Sequence, residues 1–147
     1  MATEQLVVFQ LAAEEYAIPI AQVKEIVQYN GATKMPNTPE YMEGIINLRG
    51  KVVSIIDLAK KFVVATEKKS ARQALIVEVS GQEIGLVVDT VTEVLRIEEN
   101  AMEAANGIVQ SNEFIQSIGK VDKRLLIVLD LPKLFTQEEM IVMETAG

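Results

Sequence analysis

Serines and carboxylates are the residues of this chain that could carry chemistry, because histidine and cysteine are both missing from its sequence. The five serines have no histidine to activate them, so a Ser-His-Asp triad is impossible. A Ser-Lys pairing at Ser54 or Ser70 stays open, although packing or a surface role explains both residues more simply. The sequence therefore predicts a protein that is not an enzyme, with a small enzyme on a barrel scaffold as a disfavoured alternative.

The acidic residues do not assemble into a recognisable site either. Pairs stand at Glu14-Glu15, Glu98-Glu99 and Glu138-Glu139, and adjacent side chains on a strand point to opposite faces. Asp57 and Asp130 each precede a short segment with lysine in its later part, so a helix N-cap explains them better than a two-carboxylate site. A metal site would need more oxygen ligands at defined spacing. We expect no cofactor and no metal.

Composition favours a compact protein that binds neither nucleic acid nor membrane. Of the 147 residues 49% are hydrophobic, which makes a packed core feasible and argues against disorder. The net charge of -7 repels phosphate backbones and anionic lipid heads. A signal peptide and an apolar stretch of membrane-spanning length are both missing. A cytoplasmic protein is the resulting expectation.

An internal repeat organises the chain into two similar halves. At an offset of 68 residues three blocks match, and at an offset of 73 a fourth block matches, ending in a shared Asp-Leu-x-Lys-x-Phe. The matched blocks are Leu6–Leu11 with Ala74–Val79, Tyr16–Ile20 with Ile84–Val88, Val23–Ile26 with Val91–Val94, and Ile55–Phe62 with Val128–Phe135. We infer a single domain over 1–147, with repeat units 5–66 and 73–136 that could be intertwined in space.

Each unit is predicted to be mostly β. The first two blocks of each copy read as a hairpin, because they are rich in Val and Ile and bounded by turn residues. The apolar runs Lys51–Ile56 and Leu125–Leu129 should be central strands, and Pro19 should mark an edge or an exit into a turn. Units of about 65 residues with around five short strands suggest small barrels.

Helix should be minor. Helical turns are predicted for Ile20–Val27 and Thr90–Val94 from their apolar spacing, and another short helix for Gln137–Met143. Asp57 and Asp130 are the predicted N-caps of two further short helices. A polar stretch at 67–72 joins the two copies.

Two segments occur in the first copy alone and are therefore better candidates for function than shared residues. The loop Met35–Pro39 is stiffened by two prolines, which lowers the entropy lost on binding. Arg49 aligns with Ile118, next to Gly50 and Gly119 as predicted turn glycines. Arginine is a common interface anchor, although a connecting loop and a solvated arginine remain the alternatives.

These segments resemble the CheW family of chemotaxis coupling proteins, in order and over nearly the whole chain. The Asn47-Leu48-Arg49-Gly50 block is the most specific part of the likeness, and Ser54 stands where proline is frequent. The other segments that carry it are 14–20, 23–26, 36–39, 44–46, 55–58, 85–91 and 124–135.

The resemblance implies a mostly β fold of two intertwined SH3-like five-stranded barrels with a few short helices. It also implies an adaptor that couples methyl-accepting chemotaxis receptors to the chemotaxis histidine kinase in two-component signal transduction. Such an adaptor is cytoplasmic and recruited to receptor arrays at the inner membrane face. The alternative is a detached regulatory module of a histidine kinase that binds receptor or adaptor.

The resemblance further assigns residues to two surfaces. The helical tip of the receptor would lie in an apolar groove between the barrels, whereas the kinase regulatory domain would pack barrel on barrel. The implied receptor-binding residues are Val23, Glu25, Ile26, Asn37, Arg49 and Val94. The implied kinase-binding residues are Gly44, Ile84 and Leu86.

Overall fold

Two β-sheets dominate the structure. The computed structural model describes residues 3–64, 71–104, 114–136 and 138–141, and over these residues it contains a six-stranded and a five-stranded sheet. The strands are β1 (Thr3–Leu11), β2 (Glu14–Pro19), β3 (Val23–Gln28), β4 (Met42–Leu48), β5 (Lys51–Asp57), β6 (Gln73–Val79), β7 (Gln82–Val88), β8 (Thr90–Glu98), β9 (Met102–Ala104), β10 (Ile115–Val121) and β11 (Arg124–Leu129). The helices are short, with α1 at Leu58–Phe62, α2 at Leu131–Leu134 and a C-terminal helix at 138–141. The predicted mostly β fold is confirmed, and the short β9 is the sixth strand of the larger sheet.

Both sheets repeat the same strand order with the two copies exchanged. The order is β8-β1-β2-β11-β10-β9 in the larger sheet and β3-β6-β7-β5-β4 in the smaller. In each sheet the hairpin of one copy lies between two strands of the other copy, antiparallel to the first and parallel to the second. The halves of the sequence are therefore interleaved, and neither complete sheet can be built from one copy.

The repeat extends to the ion pairs across the parallel ladders. Lys51 Nζ lies 3.2 Å from Glu83 Oε2, joining β5 to β7. Arg124 Nη2 lies 2.6 Å from Glu15 Oε1, joining β11 to β2. These residues occupy equivalent positions of the two copies, so the duplication is visible in side-chain contacts as well as in the backbone.

Side chains along the central strands point alternately to the two faces of the sheet, and this divides the core into clusters. On β1, Leu6 and Val8 join a cluster whose buried members all lie on the six-stranded sheet. Val7 and Phe9 point the other way, into a larger cluster that also includes Leu75 and other side chains of the five-stranded sheet. Both faces of these strands are thus covered, which explains their near-continuous apolar runs.

Other strand predictions also agree with the structure. The predicted hairpins form as β1–β2 and β6–β7. The apolar runs Lys51–Ile56 and Leu125–Leu129 lie in β5 and β11, each with a strand on either side. Pro19 is the last residue of β2 and leads into a turn of 3₁₀ helix.

Two helix predictions were wrong. In the segment Ile20–Val27, Ile20–Gln22 alone is helical, as 3₁₀, and the rest belongs to β3. The segment Thr90–Val94 is the start of β8. Both strands pair with the hairpin of the other copy, and this long-range pairing outweighs the local apolar spacing.

The predicted N-cap is confirmed at Asp57 and not at Asp130. Asp57 Oδ1 accepts hydrogen bonds from the backbone N–H groups of Ala59 and Lys60. Asp130 precedes α2 without a side-chain cap bond. Pro132 has no N–H to donate, and the Lys133 N–H donates to the Asp130 backbone carbonyl instead.

The remaining predictions fall partly outside the described residues. Of the polar join at 67–72, residues 67–70 lie outside them. In the predicted helix Gln137–Met143, residues 138–141 are helical, and the other three positions lie outside the described residues.

Candidate protein-interaction site

An exposed aliphatic side chain stands at the same repeat position in both copies. Ile26 on β3 is 41% exposed and Val94 on β8 is 50% exposed. They belong to different sheets, and each strand is the outermost in its sheet. Exposed aliphatic groups in a repeated position can contact a partner without disturbing the packing of the core.

Arg49 reaches the same strand from the turn between β4 and β5. Its Nη2 donates to Glu25 Oε2, so the structure brings Arg49 to Glu25, whereas the side chain of Ile26, the next residue of β3, points to the opposite face of the strand. The Arg49 side chain remains 70% exposed. An exposed ion pair of this kind adds little stability, and its guanidinium is free to exchange Glu25 for a carboxylate of a partner.

The backbone at Arg49 adopts a conformation that suits other residues better. Arg49 has φ 53° and Gly50 has φ 87°, as in the two-residue hairpin turn that favours Asn-Gly. An arginine in the left-handed region costs conformational energy, which points to a reason other than folding for its presence. The equivalent turn of the second copy lies at Asp122 and Lys123, so the predicted turn role of Gly119 was wrong, because Gly119 lies inside β10.

Of the other residues assigned to the receptor surface, one is partly buried and one lies in a separate loop. Val23 is partly buried and packs against the larger core cluster. Asn37 is exposed in the loop between β3 and β4, with φ 59°, a conformation that asparagine tolerates.

The three residues assigned to the kinase surface are structural instead. Ile84 and Leu86 are 0% exposed and belong to the larger core cluster. Gly44 is buried, with φ 144°, and its Cα faces the Thr33 backbone closely. Their side chains or Cα are not available to a partner of the folded chain, so these assignments were wrong.

Two tyrosines stand at the two ends of the loop of residues 30–40. The sequence patterns did not single them out. The Tyr29 hydroxyl donates to Glu43 Oε1 at 2.9 Å, and the Tyr41 hydroxyl donates to Glu139 Oε2. Burial and the neighbouring carboxylate raise the pKa of both phenols, so both stay protonated donors. Nothing in the local pattern around either tyrosine indicates these partners, which are 14 and 98 residues away.

The carboxylate that Tyr29 contacts belongs to a cluster of charges at the junction of the copies. Glu43 also receives a hydrogen bond of 3.1 Å from Lys60 Nζ, and Arg72 Nη1 lies 3.1 Å from Asp57 Oδ2. Burial raises the pKa of Glu43, but bonds from Lys60 and Tyr29 outweigh it, so that the pKa is lowered overall. The cluster joins β4 and α1 to the residue before β6.

Glu139 holds the C-terminal helix against the first copy. Its Oε1 accepts from the Thr136 N–H at 2.8 Å, and its own N–H donates to Thr136 Oγ1 at 3.1 Å, which is a capping box. Lys61 Nζ lies 2.6 Å from Glu139 Oε2. The spacing Thr136-x-x-Glu139 is a sequence signal that could have located the start of this helix.

Glu139 should make stability depend on pH in a narrow acidic range. Burial alone would raise its pKa, but bonds from Lys61, the Thr136 backbone and Tyr41 lower the pKa to about 2. Because the folded pKa lies below the ordinary value of 4.5, the contribution is complete above that value and is lost as the pH falls towards 2. It amounts to at most about 3 kcal/mol.

We therefore expect Glu139→Gln to be less stable than the wild type at pH 7, with the difference shrinking between pH 4.5 and 2. Urea unfolding at a series of pH values measures this, with Glu138→Gln on the same helix as the matched control. A difference that stays constant down to pH 2 would contradict the assignment.

The described residues contain no recognised metal-binding group. Within residues 3–64, 71–104, 114–136 and 138–141, no three His, Cys, Asp or Glu side chains are grouped so as to hold a metal ion. Nor does a helix among the same residues combine the length and apolarity needed to cross a membrane.

Comparison with known proteins agrees with this picture of an interaction domain. A family model described as a CheW-like domain matches residues 5–139. The Chemotaxis protein CheW of Klebsiella aerogenes is 35% identical, with 98% of this chain and 89% of that protein covered. The Chemotaxis protein CheW of Helicobacter pylori is 34% identical, with 91% and 82% covered.

A solved structure gives the same result. The scaffolding protein TtCheW from Thermoanaerobacter tengcongensis superposes with a TM-score of 0.86 at 40% identity, covering 95% of this chain and 92% of that one.

The interleaved sheets and the exposed, repeated aliphatic positions define a duplicated β-sheet interaction domain. The chain belongs to the CheW-like domain family, which places it among the scaffolding proteins of chemotaxis.

Proposed function

We propose that this chain is a non-catalytic adaptor that couples methyl-accepting chemotaxis receptors to the chemotaxis histidine kinase. The observation that carries the proposal is the exposed Ile26 on the outermost strand β3, next in sequence to the Glu25 that pairs with Arg49, with Val94 at the equivalent place of the second copy. An amphipathic helix can lay its apolar stripe on such aliphatic groups while its charged flank meets the ion pair. The family membership supports a receptor tip as that helix.

The second partner is the regulatory domain of the kinase, bound at a different surface. Binding to a membrane-anchored receptor would recruit the chain to receptor arrays at the inner face of the membrane, without insertion into the bilayer. The net charge of -7 argues against nucleic acid as a partner. The alternative, a detached regulatory module of a kinase, has less support, because the chain covers 89% of a relative named Chemotaxis protein CheW.

Ile26→Asp tests the receptor surface directly. We expect capture of a receptor tip fragment to fall by about tenfold or more, since a charge then faces the apolar stripe of the helix. The thermal unfolding midpoint should stay close to that of the wild type because the side chain belongs to none of the core clusters. Gln116→Asp adds the same charge at an exposed position of β10, outside the proposed surface, and should bind normally. Equal binding by wild type and Ile26→Asp would reject the surface.

Arg49→Asn tests whether receptor affinity can be lowered without lowering the free energy of unfolding. Asparagine suits the left-handed turn better than arginine, and the lost ion pair is exposed, so the free energy of unfolding should not fall. Affinity for the receptor fragment should nevertheless drop by about tenfold. Lys123→Asn removes an exposed charge from the equivalent turn of the second copy and serves as the control. Undiminished affinity in Arg49→Asn would show that the arginine has no role in binding.

A further inference from the structure

The loop of residues 30–40 is held at both ends by the same arrangement of groups. At each end a tyrosine hydroxyl donates to a carboxylate, Tyr29 to Glu43 and Tyr41 to Glu139. A cation also lies over each ring. The Arg72 guanidinium carbon is 5.4 Å from the Tyr29 ring centre, and Lys61 Nζ is 4.6 Å from the Tyr41 ring centre.

Backbone hydrogen bonds fix the same two ends. The Tyr29 N–H donates to the Arg72 carbonyl at 3.0 Å, and the Tyr41 carbonyl accepts from the Asp57 N–H at 2.8 Å. Thr33 and Ile45 exchange two hydrogen bonds of 2.8 and 2.9 Å, which tie the loop to β4. The loop is thus anchored to several separate segments of the chain.

The middle of the loop is stiff and faces solvent. Pro36 and Pro39 restrict the backbone, and Thr38 Oγ1 donates to the Met35 carbonyl at 3.0 Å. Asn37 is exposed at the tip with φ 59°. A shallow cavity of about 450 Å³ lies against these loop residues and is also lined by Met42, Glu43 and Lys60.

Such anchoring exceeds what a connection between two strands requires. Long loops without regular structure in compact domains are usually binding elements, and a preorganised loop loses less entropy when it binds. This loop continues directly from β3, which carries Ile26, into β4, which ends just before Arg49. It is therefore continuous in the chain with Ile26 of the proposed receptor surface at its β3 end, whereas Arg49 lies at the far end of β4.

We infer that loop 30–40 is a second, preorganised contact surface for the helical receptor partner, and that Tyr29 and Tyr41 are positioning residues that hold it ready. The inference rests on the proposed function. It assigns a binding role to the C-terminal helix, which supplies Glu139 and acts through Tyr41 without touching the partner. The exposed Asn37 and the neighbouring cavity would receive polar side chains from the flank of the receptor helix.

The test uses full-length variants and a receptor tip fragment in titration calorimetry. Tyr41→Phe and Glu139→Gln each remove or weaken the hydrogen bond and keep the shape of the side chain, so both should weaken binding by about threefold to tenfold. Glu138→Gln, on the same helix, should bind as the wild type does. Exchange of the Met42 amide proton, which bonds to the Pro39 carbonyl, should quicken in the first two variants and not in the control.

A double-mutant cycle distinguishes positioning of the loop from a general loss of stability. In a background of Pro36→Ala with Pro39→Ala, where the loop is already loosened, Tyr41→Phe should have little additional effect on affinity. Unchanged affinity in Tyr41→Phe and Glu139→Gln, or full additivity in the cycle, would overturn the inference. Ile26→Asp runs in parallel: if it also binds normally the proposed function fails, whereas if it alone loses binding the loop inference fails by itself.

Discussion

Gly44→Ala is expected to destabilise the protein by about 3 kcal/mol or more, and to abolish partner binding only to the extent that the chain unfolds. A Cβ at this position would overlap the Thr33 carbonyl oxygen and lie 2.6 Å from the Thr33 carbonyl carbon and 3.0 Å from the Lys34 nitrogen. The Thr33 backbone cannot retreat without breaking its two hydrogen bonds to Ile45. The positive φ of 144° adds strain of its own. Urea unfolding measures the loss.

Gly81→Ala is the matched control for that substitution. Gly81 also has a positive φ, of 79°, but no atom lies within 4 Å of the added Cβ. It should therefore lose about 1 kcal/mol, from backbone strain alone. Equal losses in the two variants would show that the contact with Thr33 is unimportant, and would reopen Gly44 as a binding residue.

Leu86→Ala is expected to cost about 2–5 kcal/mol, as deletion of a large buried side chain does. Leu86 is 0% exposed and sits between Ile56 on β5 and Leu75 on β6 in the ladder. Because its side chain is part of the core and not of the surface, the affinity of the folded fraction for the kinase domain should be unchanged. Urea unfolding and a kinase-binding titration at low temperature measure the two quantities.

Leu125→Ala makes the same chemical change at an exposed position of β11. It should alter the free energy of unfolding by less than about 0.5 kcal/mol. A folded Leu86→Ala protein with selectively weakened kinase binding would contradict the placement of Leu86 in the core.

Sequence patterns predicted which segments form strands better than which strands pair. The hairpins β1–β2 and β6–β7 follow from apolar runs separated by short turns, since the pairing is local. The insertion of each hairpin between strands of the other copy has no local signal, because a strand's own residues do not specify a partner far away in the sequence. For the same reason the segments 20–27 and 90–94 were predicted as helix, although long-range pairing makes most of them strand.

The candidate site could be predicted at positions that are exposed and that repeat in both copies. Ile26 and Val94 share a repeat position, and both are exposed. Ile84 and Leu86 also sit in a matched block, but a strand buried on both faces gives no indication from sequence of which residues reach the surface. Side-chain contacts between distant segments, such as that between the C-terminal helix and the end of loop 30–40, lie beyond any local pattern. Pro132 removes one of the two N–H groups that a cap at Asp130 could bind, and the other, the Lys133 N–H, donates to the Asp130 backbone carbonyl instead, which the sequence does not indicate.

The measurement that tests the adaptor role most directly is retention of the kinase regulatory domain on an immobilised receptor tip fragment, with and without this chain. If the chain links the two partners, added wild-type chain raises the amount of kinase domain retained until the receptor sites are filled. Ile26→Asp should bind the kinase domain in solution and yet fail to raise its retention. Retention that stays unchanged when wild-type chain is added, although the chain binds each partner separately, would contradict an adaptor that links the two.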